Sequence, residues 1–468
     1  MKLKKIKLPH TLVLIYLMVV LTVIATWIVP GGEYQRVEKE GRTVPLAGSF
    51  QFSERQPQGL GALFISPIKG FIEASYIIVF VFIVGGAFAV IQKTGAVTAF
   101  IHNLSLKFGE NKTLRALLIP VTMIIFSLGG AVFGMCEETM PFILIFVPLS
   151  LSLGYDTIVG VCIPFVGAAS GFAGAFFNPF TVGIAQGIAG LPLYSGLGYR
   201  IAIWAIGTAL AITVVMRYAS RVYKNPKTSI TYSEDSEKKK ILNLNTSSQE
   251  RVKILNTHKR VLILFLLGMA LLVFGILKYK WYINEIAGLF LALGILSGIV
   301  GRLNSEELAK SFVDGAKDMI NAALIIGCAR AILVVAMDGK ILDTALFYMA
   351  SLISNFHPII SSQLMFVCQC IINFFVHSGT AQAALTMPIM TPLGDLVGIT
   401  RQTTVFAFQL AEYINPILPT SGVTMGVLGL ARLRWEKWAK WFIPLLLIWV
   451  IFGFCSLIPP VLMRWGPF

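Results

Sequence analysis

Two adjacent carboxylates, Glu137 and Glu138, stand with Thr139 in the otherwise apolar stretch "LGGAVFGMCEETMPFILIFVPLSLSLGYD" (128–156). A third acid, Glu412, opens "EYINPILPTSG" three residues before Asn415, one helical turn away and on the same face, with Thr420 and Ser421 closing the run. "AFFNPFTVGIAQG" sets Asn178 and Thr181 around Pro179, and "VHSGTAQ" carries Ser378, Gly379 and Thr380. A carboxylate in an apolar setting is costly unless paired or hydrated and is a functional candidate by default. Together these residues could hold a cation. Neighbouring residues on a helix point about 100° apart, so Glu137 and Glu138 need not face one site. A plainer role is open for each: solvated acids at a mouth, Glu412 paired with Arg401, and Asn, Thr and Ser side chains that only patch broken backbone bonds.

Other chemistries lack their residues. There is no HExxH, no clustered His/Cys, no G-x-S-x-G elbow and no G-x-x-x-x-G-K-[ST] loop, so neither a membrane-embedded enzyme nor an ATP-driven pump is expected, and no cofactor. The six cysteines form no CxxC and read as packing residues. His377 reads as a hydrogen-bonded structural histidine rather than a proton relay. Arg330 sits in the middle of "LIIGCARAILVVA" and needs a carboxylate partner, expected to be Asp314 or Asp318 in an ion pair of the scaffold.

These residues are embedded in a chain built for lipid. Of 468 residues 56% are hydrophobic and 13% charged, with mean hydropathy +0.78, where a soluble domain carries about 25% charged residues. The class is an all-α polytopic membrane protein in the bilayer. The formal charge of +15 lies between apolar spans, where it sets topology, so no nucleic acid is expected as a partner. Thr11–Val29 is uncharged, long enough to span, and lacks a small-x-small cleavage site, so it reads as a retained first helix. Met1–Lys7 has four lysines and places the N-terminus in the cytoplasm.

Residues 217–260 hold eleven Lys/Arg against four Asp/Glu, and 217–258 read as a partly disordered cytoplasmic linker between an N-terminal half (1–216) and a C-terminal half (259–468). "RLRWEKWAK" (432–440) is a second cytoplasmic mark, with Trp435, Trp438 and Trp441 expected among the lipid headgroups. Spans are expected near 72–92, 96–108, 112–134, 157–190, 199–216, 259–277, 282–301, 317–337, 341–356, 361–377, 402–430 and 441–462, about 11–13 in all. The runs at 157–190 and 402–430 are too long for one simple helix.

The halves repeat each other. Asn178-Pro179 corresponds to Asn415-Pro416, and Gly134 to Gly379, Pro148 to Pro392, Gly154 to Gly398, Gly95 to Gly339 and Gly70 to Gly315, these last five at an offset near 244 residues. The charge pattern puts Gly70 outside and Gly315 inside, so the repeats are expected to be inverted. Each half then supplies a broken helix (157–190 and 402–430) and a re-entrant hairpin (about 135–155 and 378–398). Irregular backbone at membrane depth is tolerated where protein or a water-filled cavity shields it. The two breaks are therefore expected to meet at mid-membrane, with freed carbonyls and helix ends for substrate and, near Asn178 and Asn415, for sodium.

From "LPHTLVLIYLMVVLTVIATWIVPGGEY" through "INPILPTSGVTMGVLGLARL", almost the whole chain resembles the ion transporter superfamily of elevator-type carriers. Within it the chain is similar to the C4-dicarboxylate anaerobic carrier-like family, which includes a branch of basic amino-acid antiporters. The resemblance implies a dimerising scaffold domain and a transport domain carrying both hairpins and both broken helices, in a homodimer of the inner membrane. Superfamily relatives carry Ser-Asn-Thr at each hairpin tip. Here the second tip reads Ser378-Gly379-Thr380 and the first Glu137-Glu138-Thr139. Two carboxylates in place of Ser-Asn point from dicarboxylates toward a cationic amino acid, such as arginine exchanged for ornithine. The alternative is a sodium- or proton-coupled importer of carboxylates or small peptides.

Overall fold

The computed structural model describes residues 11–39, 42–46, 48–100, 103, 112–241, 254–279, 281 and 283–466. Among them seven helices are long and apolar enough to cross a membrane, and Leu117–Phe133, Thr157–Ala173 and Leu342–Ile353 form shorter apolar helices. Most of the expected 96–108 span lies outside the described residues. The helical expectation gains one addition. After α1 (Thr11–Ile28) the chain forms two small antiparallel ribbons, β1 (Gly32–Glu33) with β4 (Gln51–Phe52) and β2 (Arg36–Lys39) with β3 (Arg42–Pro45). Asp343 anchors this cap, accepting from the Tyr34 amide at 3.1 Å and from Arg36 at 2.9 Å.

Elements then recur in the same order in each half. α2 (Leu60–Glu73) and α3 (Ser75–Lys93) have counterparts in α12 (Ser305–Lys317) and α13 (Ile320–Asp338). These four cross-pack through glycines. A Cβ on Gly70 would lie 2.4 Å from the Gly327 carbonyl, and one on Gly315 would lie 2.4 Å from the Gly85 carbonyl. Lipid gives apolar helices little reason to associate, so close backbone approach at small residues holds such pairs.

Each half also contains a helical hairpin, drawn differently from the expectation. The arms of the first are α4 (Lys112–Leu128, continued by a wide turn Gly129–Phe133) and α5 (Met140–Ser152). Those of the second are α15 (Pro358–Phe375) and α16 (Gly379–Leu396). The expected hairpins at 135–155 and 378–398 each contribute only one arm. Pro141 sits at the start of α5, where no amide donor is needed, and Pro148, Pro388 and Pro392 are carried inside their helices. The reversals are at the tips instead: Gly134 takes a left-handed φ of +71°, and the second tip is 376–378.

A broken helix follows each hairpin in the chain. The first runs Thr157–Ala173, breaks, and resumes with a wide turn Pro179–Gly183 into Ile184–Ile188. The second runs α17 (Arg401–Leu410), a tight turn Ala411–Ile417, a gap and Gly422–Leu430. They are pinned together: Gln186 donates to Gln402 at 3.0 Å and Gln409 to the Phe172 carbonyl at 2.5 Å. Against α4 the first is nearly in backbone contact, since a Cβ on Gly171 would fall 1.7 Å from the Ser127 carbonyl.

Of the tryptophans in and beside "RLRWEKWAK", Trp438 and Trp441 are buried and Trp435 is half-buried. Trp438 is fully buried and stacked on Trp441 at 5.5 Å, and its indole donates to the Pro416 carbonyl at 2.7 Å. Trp435 donates to the Ile417 carbonyl at 2.8 Å. Both therefore satisfy carbonyls freed by the second break, a need that outweighs the indole's affinity for headgroups.

The linker also differs from its expected form. One long helix, Leu197–Lys224, enters the range 217–258, and another, Asn256–Tyr279, begins inside it. Between them Tyr232–Ile241 is a helix laid against the body, while 242–253 lie outside the described residues. Asp235 accepts from the Thr157 amide (3.1 Å), the Thr157 hydroxyl (2.5 Å) and Thr231 (2.6 Å). Lys238 donates to Thr157 and to the Ala431 carbonyl, both at 2.9 Å, which ties the strap to both broken helices. Composition averaged over 42 positions concealed this short docked segment.

Candidate functional site

A cavity of about 520 Å³ opens where the two hairpin tips meet the second break. Glu137, Glu138, Ser378, Gly379 and Thr380 line it from the tips, and Asn415 and Thr420 from the break. The other residues singled out in the sequence lie just behind that wall. Thr139 is buried and bonds back to the Cys136 carbonyl at 2.6 Å, closing the first tip. Asn178, Thr181, Glu412 and Ser421 are also buried.

Gly379 is where the two breaks converge. A Cβ there would come within 2.5 Å of Thr181 and 3.1 Å of a Glu412 oxygen. Gly134 plays the same part at the first tip, its Cβ position lying 2.6 Å from the Asn178 side-chain oxygen. Thr181 of the first break and Glu412 of the second thus both approach the second tip at Gly379. With no side chain, Gly379 leaves room for Thr181 and Glu412 to reach the tip.

Hydrogen bonding separates side chains that mend backbone from those left with open capacity. Asn178 accepts from the Phe180 amide at 2.9 Å and Ser421 from Thr424 at 3.3 Å, so both cap helix starts. Asn415 donates to the His377 carbonyl at 3.0 Å and to Glu412 at 3.3 Å, holding the second tip against the second break. Thr380 reaches across to the Phe180 carbonyl at 3.0 Å. Glu138 accepts from the Cys136 amide at 2.9 Å. By contrast, Thr181 Oγ1, Thr420 Oγ1, Glu412 Oε1 and Asn178 Nδ2 are buried with no hydrogen-bond partner among the described residues. Native interiors rarely leave such groups unmet, and each one calls for an explanation.

Three expected partners are otherwise engaged. Arg401 pairs with Asp395 at 2.8 Å and not with Glu412. Asp318 pairs with Arg432 and Asp314 with Lys317, so neither meets Arg330. Arg330 pairs instead with Glu73 at 2.8 Å, and both line the cavity. The packing of α2 on α13 joins residues 257 apart, which no local signal could announce. His377 also lines the cavity, and its ring Nδ1 has no partner among the described residues, so it is not the hydrogen-bonded histidine expected. Cys136 lines the cavity as well, while Cys162 and Cys368 are buried in packing.

The wall is therefore acidic, with Glu73, Glu137 and Glu138 on it and Glu412 behind it, against a single arginine among the described residues. A helical multi-pass membrane protein that closes broken helices around such a cavity is a membrane transporter. Its chain belongs to the C4-dicarboxylate anaerobic carrier family, whose model matches residues 8–461. An Escherichia coli relative named "Putative basic amino acid antiporter YfcC" is 37% identical, covering 92% of each chain. An uncharacterized protein of Haemophilus influenzae is 27% identical over 98% of each chain. Among solved structures, the Alcanivorax borkumensis YdaH transporter aligns with a TM-score of 0.43 at 16% identity, covering 98% of this chain and 100% of that one.

Proposed function

We propose that this transporter exchanges basic amino acids, arginine or ornithine in type, across the inner membrane. The observation that carries the reading is the convergence of Glu137, Glu138 and Glu412 at one cavity fed by both tips and both breaks. A guanidinium or ammonium needs carboxylate partners, and the planar fork of arginine fits a carboxylate through two parallel bonds. The tip residues Ser378 and Thr380 line the same cavity and add polar groups beside the acids. The name of the Escherichia coli relative supports the same substrate class.

The recurring order of elements and the exchanged glycine contacts support two inverted repeats, with the N-terminus and the strap in the cytoplasm. In the elevator mechanism that follows, the hairpins and broken helices move as a body against α2, α3, α12 and α13 within a homodimer. The open oxygens of Thr181, Thr420 and Glu412 are hard donors of the kind sodium takes, and Glu412 is also a carboxylate that could carry a proton. Replacing sodium by choline at constant pH separates these two couplings.

A second reading, a sodium- or proton-coupled importer of carboxylates, is favoured by the family's description and by Arg330 on the cavity wall. Counterflow decides between them. Proteoliposomes loaded with unlabelled ornithine should accumulate labelled arginine and not labelled succinate. Accumulation of succinate without arginine would overturn the exchange of basic amino acids.

A further inference from the structure

Resting on the basic amino-acid reading, we propose that Glu73 and Arg330 form the subsite for the amino-acid head group. Arg330 takes the α-carboxylate, Glu73 takes the α-ammonium, and the tip acids take the cationic side chain.

The pair is placed for this by a break of its own. α2 ends at Glu73, Ala74 alone leaves helical geometry, and α3 starts at Ser75, so Glu73 stands at the junction of two abutting helices, beside the middle of α13. Arg330 lies within a 19-residue span of mean hydropathy 2.2, where an arginine without a partner is costly. Its Nε donates to Glu73 Oε2 at 2.8 Å. Among the described residues its two η nitrogens, and Glu73 Oε1, make no hydrogen bond.

The pair is not needed to join its two helices. The Gly70–Gly327 approach, with Ala331 behind it, already packs α2 on α13. Nor is it closed off: the side chains of Arg330 and Glu73 are 32% and 40% exposed, and both line the cavity. An open ion pair of this kind adds little stability. It does present adjacent unsatisfied cationic and anionic groups, the complement of a zwitterion. The opposite wall, at the first tip, is acidic. An amino acid with a cationic side chain satisfies both walls at once, whereas its decarboxylated amine keeps both cations but brings no anion to Arg330.

The test measures binding of L-arginine, L-arginine methyl ester and agmatine to the full-length protein in detergent. Wild type should prefer arginine to agmatine by about ten-fold or more, the scale of one charge-assisted contact. Arg330→Gln should lower arginine affinity by about that factor and leave agmatine within about two-fold. Glu73→Gln should weaken arginine, its methyl ester and agmatine together, since all three keep the ammonium that Glu73 binds. If Arg330→Gln does not fold, the neutral double variant Glu73→Gln/Arg330→Gln should bind arginine and agmatine alike. A wild-type preference that survives in Arg330→Gln or in the double variant overturns the head-group subsite but leaves the basic amino-acid reading intact. A wild type that binds neither ligand overturns both.

Discussion

Two polar networks lie inside this protein, and they differ in how completely they are satisfied. Around the strap, Asp235 takes three donors, Asp156 takes Tyr218, Ser229 and the Val159 amide, and Lys238 finds two oxygens besides Asp235. Around the helix breaks, the Thr181 and Thr420 hydroxyls and one Glu412 oxygen are buried with no partner among the described residues. Burying a polar group without a partner costs about 1–3 kcal/mol. A closed network holds elements in place. An open one keeps capacity for something that arrives.

The largest effect that would break this contrast is expected at the strap. Asp235→Ala leaves Thr157 and Thr231 donors unmet and removes the carboxylate 3.8 Å from Lys238. Removing one member of a buried ionic network costs about 3–5 kcal/mol. The thermal midpoint in detergent should fall clearly, while arginine affinity of the folded fraction stays the same. Shortening the chain within 226–241 should act alike, in contrast to a passive linker.

At the site the signs should reverse. Glu→Gln at 137, 138 or 412 keeps shape but removes charge, and at least one of the three should lower arginine affinity by about thirty-fold or more, or roughly 2–5 kcal/mol. Glu412→Gln should leave the thermal midpoint unchanged or raised, because a buried, incompletely bonded carboxylate is replaced by a neutral amide. Unaltered arginine binding in all three variants would put the acids in a structural role.

A pH titration sharpens the comparison further. Burial pulls the Lys238 ammonium down to about 8, against the opposing pull of Asp235, Glu234 and Asp156, with Arg432 adding to the drop. A free lysine titrates near 10.4. Below about pH 8 both folded and unfolded chains carry the proton. Between there and about 10.4 the unfolded chain binds more protons, so stability should rise with pH, on the order of 1–3 kcal/mol. Lys238→Met should flatten that rise in a denaturation series.

The smallest effect is expected at the open hydroxyls. Thr420→Val removes a buried hydroxyl without a partner and should change stability by no more than about 1 kcal/mol, toward the stable side. Isothermal titration with sodium would show whether that oxygen matters to an ion, since a weaker sodium response in a variant of unchanged stability marks a ligand.

Composition and local order were sufficient to determine that this chain is a multi-pass membrane protein and where its helices break. Hydropathy sets the solvent, and Asn-Pro with nearby hydroxyls marks a backbone that needs help at depth. The same local signals singled out Glu137, Glu138 and Glu412, because acids are conspicuous in apolar runs. The hairpin arms were misjudged, because proline inside a helix and proline at a reversal look alike until neighbouring helices are in place. Only the tertiary structure decided the partners: Glu73 for Arg330, Thr157 and Ala431 for Lys238, and the Pro416 and Ile417 carbonyls for Trp438 and Trp435. Charge and hydrogen-bond pairings across long stretches of chain depend on which helices can approach closely. That is set by backbone contacts such as Gly70 on Gly327 and Gly171 on Ser127, whose meaning appears once the two helices are brought together.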